Sequence, residues 1–237
     1  MPLDSNSPLT AYTAEKKDLY DMGEMPPLGH VPKQMYGWAI RKERHGEPDT
    51  AMLQEVLDVP ELDNYDVLVL VMAAGINYNG VWAALGVPIS PFDGHKQPYH
   101  IAGSDASGIV WAVGSKVTRW KLGDEVVIHC NQDDGDDEEC NGGDPMYSTS
   151  QRIWGYETPD GSFSQFTRVQ SQQLMPRPKH QTWEESACYT LTLATAYRML
   201  FGHAPHDCCI DIKAIQLSGY FFAILVGCRY TFNGDWP

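Results

Sequence analysis

The chain is short of positive charge, of long apolar runs, of paired cysteines and of glycine fingerprints. It has 17 Lys and Arg against 31 Asp and Glu in 237 residues, a formal net charge of −14. A chain this acidic, without a basic patch, does not grip a phosphate backbone, so no nucleic-acid partner is expected. No stretch reaches 18 uninterrupted apolar residues, and no ordinary membrane-spanning helix or membrane partner is expected. Met1 to Thr10 lacks the basic and apolar regions of a secretory signal, which points to the cytoplasm. Six cysteines are too few for a disulfide scaffold. The G-x-G-x-x-G, G-x-x-x-x-G-K-[ST] and G-x-S-x-G patterns are all missing, which removes the usual sequence signs of a dinucleotide fold, a P-loop and a hydrolase elbow.

Metal-ligand spacing is equally sparse. Cys130 and Cys140 are ten residues apart with no C-x-x-C unit, and Cys208 and Cys209 are adjacent, an awkward geometry for one tetrahedral zinc. His95, His100 and Asp105 are the best remaining ligand set, and satisfied or exposed histidines are the stronger reading. Six of the seven residues from Asp133 to Glu139 are acidic, without the alternating ligands of a calcium loop. No metal is expected. Cys188 falls on an expected helix and reads as a small buried thiol.

What is present is a β-rich domain. Apolar residues make up 43% of the chain, enough for a packed core and too many for overall disorder. Residues 1–34 carry five prolines and read as an arm, with one helical turn near Ala14 to Tyr20. Strands are expected at Met35 to Ile40, Met52 to Val56, Asp66 to Ala74, His100 to Asp105, Gly108 to Gly114, Glu125 to Cys130, Ser162 to Val169 and Gln173 to Met175. The Asp66 segment is nearly continuous in apolar and β-branched residues, as suits a strand buried on both faces. Short strands punctuated by glycine predict a curled barrel instead of a βαβ repeat. Asn79 to Leu85 reads as a short helix ended near Gly86. Thr182 and Glu185 have capping-box spacing for a longer helix over about 183–201.

One constellation carries chemistry. Gly75-Ile76-Asn77-Tyr78-Asn79 follows the strongest strand, and Asn77 and Asn79 each offer a donor and an acceptor. Ile153-Trp154-Gly155-Tyr156-Glu157-Thr158 sets a carboxylate among aromatics, where it can hold a water or a small polar ligand. Turn and core duties compete with a site at both places.

Gly103-Ser104-Asp105-Ala106-Ser107-Gly108-Ile109-Val110, with Val113-Gly114 and Gly123-Asp124-Glu125-Val126, resembles the N-terminal, GroES-like domain of the medium-chain dehydrogenase/reductase superfamily. Within it, Val71 to Trp82, Pro98 to Asp105, Gln151 to Thr158, Gln173 to His180, Thr182 to Ala187 and Thr195 to Arg198 resemble the crotonyl-CoA carboxylase/reductases. The likeness covers about residues 30–206. It implies a mainly β fold with short helices. The implied reaction is NADPH-dependent reduction of an enoyl-CoA with CO2 trapped on the enolate, as in ethylmalonyl-CoA formation from crotonyl-CoA. NADPH and CO2 are thus the implied cofactor and co-substrate, and an acyl-CoA the implied partner.

The resemblance also implies a CO2-holding pocket built from an asparagine of the Asn77-Tyr78-Asn79 motif and from the aromatic–Glu pair Tyr156–Glu157. Asn77 is favoured and Asn79 stays open. Tyr156 departs from the phenylalanine of the family pattern and adds a hydroxyl. Zinc-dependent relatives carry Cys at position 77 and His-Glu at Ser104-Asp105, so zinc-free chemistry is implied. Residues 35–206 are expected to form the substrate domain. The family pattern then enters a Rossmann domain, whereas residues 207–237 leave it and read as a frameshifted or mispredicted terminus. The chain alone is therefore expected to lack tight NADPH binding and turnover, and an oligomer is implied only for the intact enzyme. A non-catalytic ligand- or partner-binding domain and a non-carboxylating enoyl reductase are the alternatives.

Overall fold

The computed structural model describes residues 15–199 and divides the chain into two compact units, Met1–Cys188 and Tyr189–Pro237. In the first unit, β1 (Gln34–Ile40) and β2 (Leu53–Asp58) form an antiparallel pair, joined through the single-turn helix α1 (Pro48–Ala51). β3 (Asp66–Gly75) leads into α2 (Tyr78–Leu85), which ends on Gly86 in the left-handed region at φ 71°. β4 (His100–Ile101) pairs with β1, so the first sheet runs β2-β1-β4. β5 (Asp105–Val113) and β6 (Glu125–Ile128) follow, and β7 (Asn131–Gln132) pairs with β8 (Arg152–Ile153) at the base of the acidic loop. β9 (Phe166–Gln170) and β10 (Leu174–Pro176) complete a second sheet in the order β10-β6-β5-β3-β9. Every strand pairing among the described residues is antiparallel.

The alternation of β3 builds two cores. Val67 and Val69 enter a cluster with Val110, Ile128, Trp154 and Leu174 on one face. Leu68 and Leu70 enter another with Met35, Ile101, Trp111 and Phe166. A strand with side chains of period two can be apolar throughout only when both faces are covered, as here. Register shifts at Leu68/Val69 and Val71/Ala73 bend β3 against β5, and an isolated Gly37–Ser164 bridge ties the two sheets. These features make the expected curled, glycine-punctuated fold. Gly108 is fixed by packing, since a Cβ there would collide with the Leu70 carbonyl oxygen.

Three expectations need correction. The helical turn at 14–20 does not form over its described part, residues 15–20. The Tyr20 hydroxyl accepts from the Lys17 amide (2.9 Å) and donates to the Glu15 carbonyl (3.1 Å), taking up groups a helix would pair internally. The long helix over 183–201 is broken. Thr182 and Glu185 do form the capping box of α3 (Trp183–Ser186), but that helix stops at Ala187. In the second unit, α4 (Thr190–Tyr197) starts afresh after Tyr189, whose φ of −128° lies outside the helical well. Cys188 falls in this break and is exposed, not buried. Leu200 and Phe201, the first 14 residues and the expected 207–237 tail lie outside the described residues.

Residues 15–33 have no strand or helix, yet they are tied down. Tyr20 is buried, the Trp111 indole donates to the His30 carbonyl (2.8 Å), and the Gln165 amide donates to the Tyr20 carbonyl (3.1 Å). In the acidic loop the carboxylates serve the loop's own backbone. The Cys140 thiol, the Cys140 amide (2.9 Å) and the Ser148 hydroxyl (2.8 Å) all donate to Asp137 and hold its pKa low, at about 2.

Candidate active site

The strand end of β3 places the asparagines. Gly75 must be glycine, because a Cβ there would collide with the Ala187 carbonyl oxygen. The chain then turns, and Asn77 becomes the N-cap of α2 without capping it through its side chain. That side chain has another partner: Asn77 Nδ2 donates to Asp105 Oδ2 at 2.8 Å. Asn79 Nδ2 donates to Ser104 Oγ at 2.6 Å. Ser104 and Asp105 are both fully buried at the start of β5. Asn79 Oδ1 is buried without a partner among the described residues, an acceptor whose desolvation is uncompensated.

The second segment arrives from β8. Ile153 and Glu157 close a tight turn, in which the Glu157 amide donates to the Ile153 carbonyl (2.8 Å) and Glu157 Oε2 accepts from the Ile153 amide (2.7 Å). Gly155 sits inside that turn at φ 76°, and a Cβ on it would collide with the Gly103 carbonyl oxygen. This close crossing brings the two segments together. Gly103 precedes the Ser104–Asp105 pair that holds both asparagines, and Gly155 precedes Tyr156 and Glu157. The asparagines and Glu157 are linked through this crossing, with their side chains bonded to separate partners. The extra hydroxyl of Tyr156 donates to the Ile89 carbonyl (2.9 Å), and burial raises the phenol's pKa.

Around the asparagines in the chain, Ile76 (88% exposed), Tyr78 and Trp82 are exposed apolar side chains, the last two in edge-to-face contact. Ile76 also lines an open cleft of about 600 Å³ with Met25, Trp38, Met52, Met72 and Phe163. Sequence reasoning passed over this cleft, since its walls come from five separated segments and share no local motif. None of Asn77, Asn79, Tyr156 and Glu157 lines it.

The best candidate ligand set, His95, His100 and Asp105, has other partners. His100 is engaged by His95 and by the Gly155 carbonyl, Asp105 by Asn77, and among the described residues no group of three His, Cys, Asp or Glu could hold an ion. Cys130 is buried, which pushes its thiol up to about 12 and keeps it un-ionised at neutral pH. The Rossmann cradle for a dinucleotide is a parallel sheet with a glycine-rich turn at a helix N-terminus. The antiparallel strands of residues 15–199 do not fit one. Among the described residues no helix is long and apolar enough to cross a membrane.

Comparison with known proteins identifies the domain. Residues 63–179 match the alcohol dehydrogenase GroES-like domain. The crotonyl-CoA carboxylase/reductase of Cereibacter sphaeroides is 81% identical over 207 residues, 87% of this chain and 48% of that protein. The crotonyl-CoA reductase of Streptomyces collinus is 41% identical over 175 residues, 66% of this chain and 38% of that protein. A solved crotonyl-CoA carboxylase/reductase superposes with a TM-score of 0.79 at 77% identity, covering 82% of this chain and 45% of its own. A 2-octenoyl-CoA carboxylase reductase solved with NADP and 2-octenoyl-CoA superposes at 0.70 with 37% identity, covering 76% of this chain and 45% of its own. The chain thus spans about half the length, or less, of the curated relatives it matches. Over that span it belongs to the alcohol dehydrogenase GroES-like domain family, on the crotonyl-CoA carboxylase/reductase branch of the medium-chain dehydrogenase/reductase superfamily.

Proposed function

We propose that this chain supplies the acyl-CoA and CO2 side of an NADPH-dependent reductive carboxylation, with crotonyl-CoA as substrate and ethylmalonyl-CoA as product, in the cytoplasm. The observation that carries this reading is the pinned amide of Asn77. In that bond the Asn77 nitrogen donates to a carboxylate oxygen of the buried Asp105, which holds the amide in one orientation. One N–H is spent on Asp105, and the second is left to meet an oxygen of CO2. Asn79 is the weaker candidate, since its nitrogen serves Ser104 and its oxygen is buried. Glu157 keeps one carboxylate oxygen beyond its bond to Ile153, enough to hold a bridging water. With its hydroxyl held by Ile89, Tyr156 offers its ring as a wall. Keeping other water from the enolate favours carbon–carbon bond formation over protonation.

The apolar rim at Ile76, Tyr78 and Trp82 would cover the acyl group. NADPH would supply the hydride when bound, and residues 15–199 offer it no cradle, so neither tight NADPH binding nor turnover is expected of those residues alone. The test is a pair of titrations of the purified chain. Saturable crotonyl-CoA binding, without saturable NADPH binding at millimolar concentration, supports the reading. Absence of crotonyl-CoA binding refutes it, and saturable NADPH binding refutes the division of labour.

A further inference from the structure

Three residues outside the Asn77–Glu157 set form a directed chain of hydrogen bonds. The Gln97 amide donates to His95 Nδ1 at 3.2 Å, so that nitrogen carries no proton and His95 is protonated at Nε2. His95 Nε2 lies 3.2 Å from His100 Nδ1, which must then accept. His100 is left with its proton on Nε2, 3.3 Å from the Gly155 carbonyl. Each bond fixes the tautomer of the next ring, and the chain ends on the residue before Tyr156.

The surroundings suit neutral rings. The two imidazoles lie nearly parallel (14°) with ring centroids 5.4 Å apart, a spacing that suits the N–H···N contact, and Phe92 meets both. His100 is fully buried. The titratable groups facing it are His95 and, farther off, His45, with the backbone of Gly155 and Thr158 on the turn side. His45 is itself held by the Ala84 carbonyl and Ser90 Oγ, both at 3.0 Å. Burial lowers the pKa of His95 and takes that of His100 down to about 3. Gly155 has no side chain to orient it. Its amide is taken by Asp160 and Thr158, and its carbonyl by His100.

We propose that His95 and His100 are positioning residues, a neutral two-histidine relay that aims the Gly155 carbonyl and thereby sets the Tyr156–Glu157 turn. A second proton on His95 would oppose the Gln97 amide donor, and one on His100 would oppose the His95 donor. Either event breaks a link upstream of the Gly155 carbonyl and loosens the ring that aims it, although the His100 Nε2–H still donates there, which makes the set of the turn sensitive to acid below the ordinary histidine range. The functional meaning rests on Tyr156 and Glu157 being pocket residues, while the relay itself does not.

The experiment is a pH series from 7.5 to 4.5 on the chain carrying ¹⁵N in its backbone and histidine rings. Both rings are expected in the Nε2–H form at pH 7.5. The Tyr156 and Glu157 amide signals are expected to move together with the His95 titration, at a midpoint below 6.5. His100→Gln keeps a side-chain N–H for Gly155 and should leave those two signals near their wild-type positions while abolishing the pH-linked movement. His100→Phe keeps the ring without a donor and should displace them already at pH 7.5. An Nδ1–H tautomer at His100, or Tyr156 and Glu157 signals that ignore the His95 titration, would overturn the proposal. The tautomer readout needs no variant, so a misfolded His100→Phe leaves the test intact. Crotonyl-CoA added at pH 7.5 separates the two claims: no response at Asn77, Tyr156 or Glu157 would sink the pocket reading and leave the relay standing.

Discussion

Burial of His100 should make the protein lose stability in mild acid by a calculable amount. The unfolded ring takes up a proton near pH 6.5, whereas the native ring resists until about 3. As pH falls below 6.5 the unfolded chain binds a proton that the native chain refuses, so stability falls with pH and levels off below about 3. Within that window each pH unit costs about 1.4 kcal/mol, so a change from pH 7.5 to pH 5.0 removes roughly 2 kcal/mol through this ring. Urea unfolding at the two pH values measures the total loss, to which the other rings that burial holds low, His95 and His129, also contribute. The His100→Gln variant isolates the His100 share, because glutamine does not titrate and can still donate to Gly155. Its stability should fall between pH 7.5 and 5.0 by roughly 2 kcal/mol less than that of the wild type. Equal losses in the two proteins would show that His100 is not held neutral by burial.

Two backbone devices give sharper stability tests. Gly155→Ala places a Cβ at φ 76° and against the Gly103 carbonyl. The left-handed backbone alone costs about 1–2 kcal/mol, so with the collision a melting temperature lower by about 5 °C or more is expected by calorimetry. An unchanged melting temperature would mean that the two loops do not cross so closely. Thr182→Ala removes the hydroxyl that accepts from the Glu185 amide (3.1 Å) and should cost about 1 kcal/mol, with Thr182→Ser restoring it. Equal stability of the Ala and Ser variants would show that the cap contributes nothing.

Much of the fold was legible because its signals are local. The unbroken apolar run Val67 to Val71 announced a strand covered on both faces, and it supplies both cores. Thr182 and Glu185 announced a helix start that the structure keeps. The helix end was not legible: Tyr189 leaves the helical well in a segment that still reads as helix. The turn expected at Ala14 to Tyr20 fails over residues 15–20 for a related reason, since a phenol competes for backbone groups in a way that periodicity does not register. At the candidate site, residue types located Asn77, Asn79, Tyr156 and Glu157, and the likeness to a known family gave them their roles. What holds them was hidden. The Asn77–Asp105 and Asn79–Ser104 bonds span 28 and 25 positions, and the His100–Gly155 bond spans 55. Contacts at such separations depend on how β3, β5 and the 153–157 turn are folded against one another. The histidines were read as satisfied or exposed groups, and His95 and His100 are hydrogen-bonded to each other and to the Gly155 carbonyl.

The most direct test of the central claim is the crotonyl-CoA and NADPH titration of the intact chain, read residue by residue from backbone amide signals. Saturable crotonyl-CoA shifts centred on Ile76, Asn77, Tyr156 and Glu157, with none from NADPH across residues 15–199, are the expected result. Crotonyl-CoA shifts confined to other surfaces, or saturable NADPH shifts within residues 15–199, would contradict it.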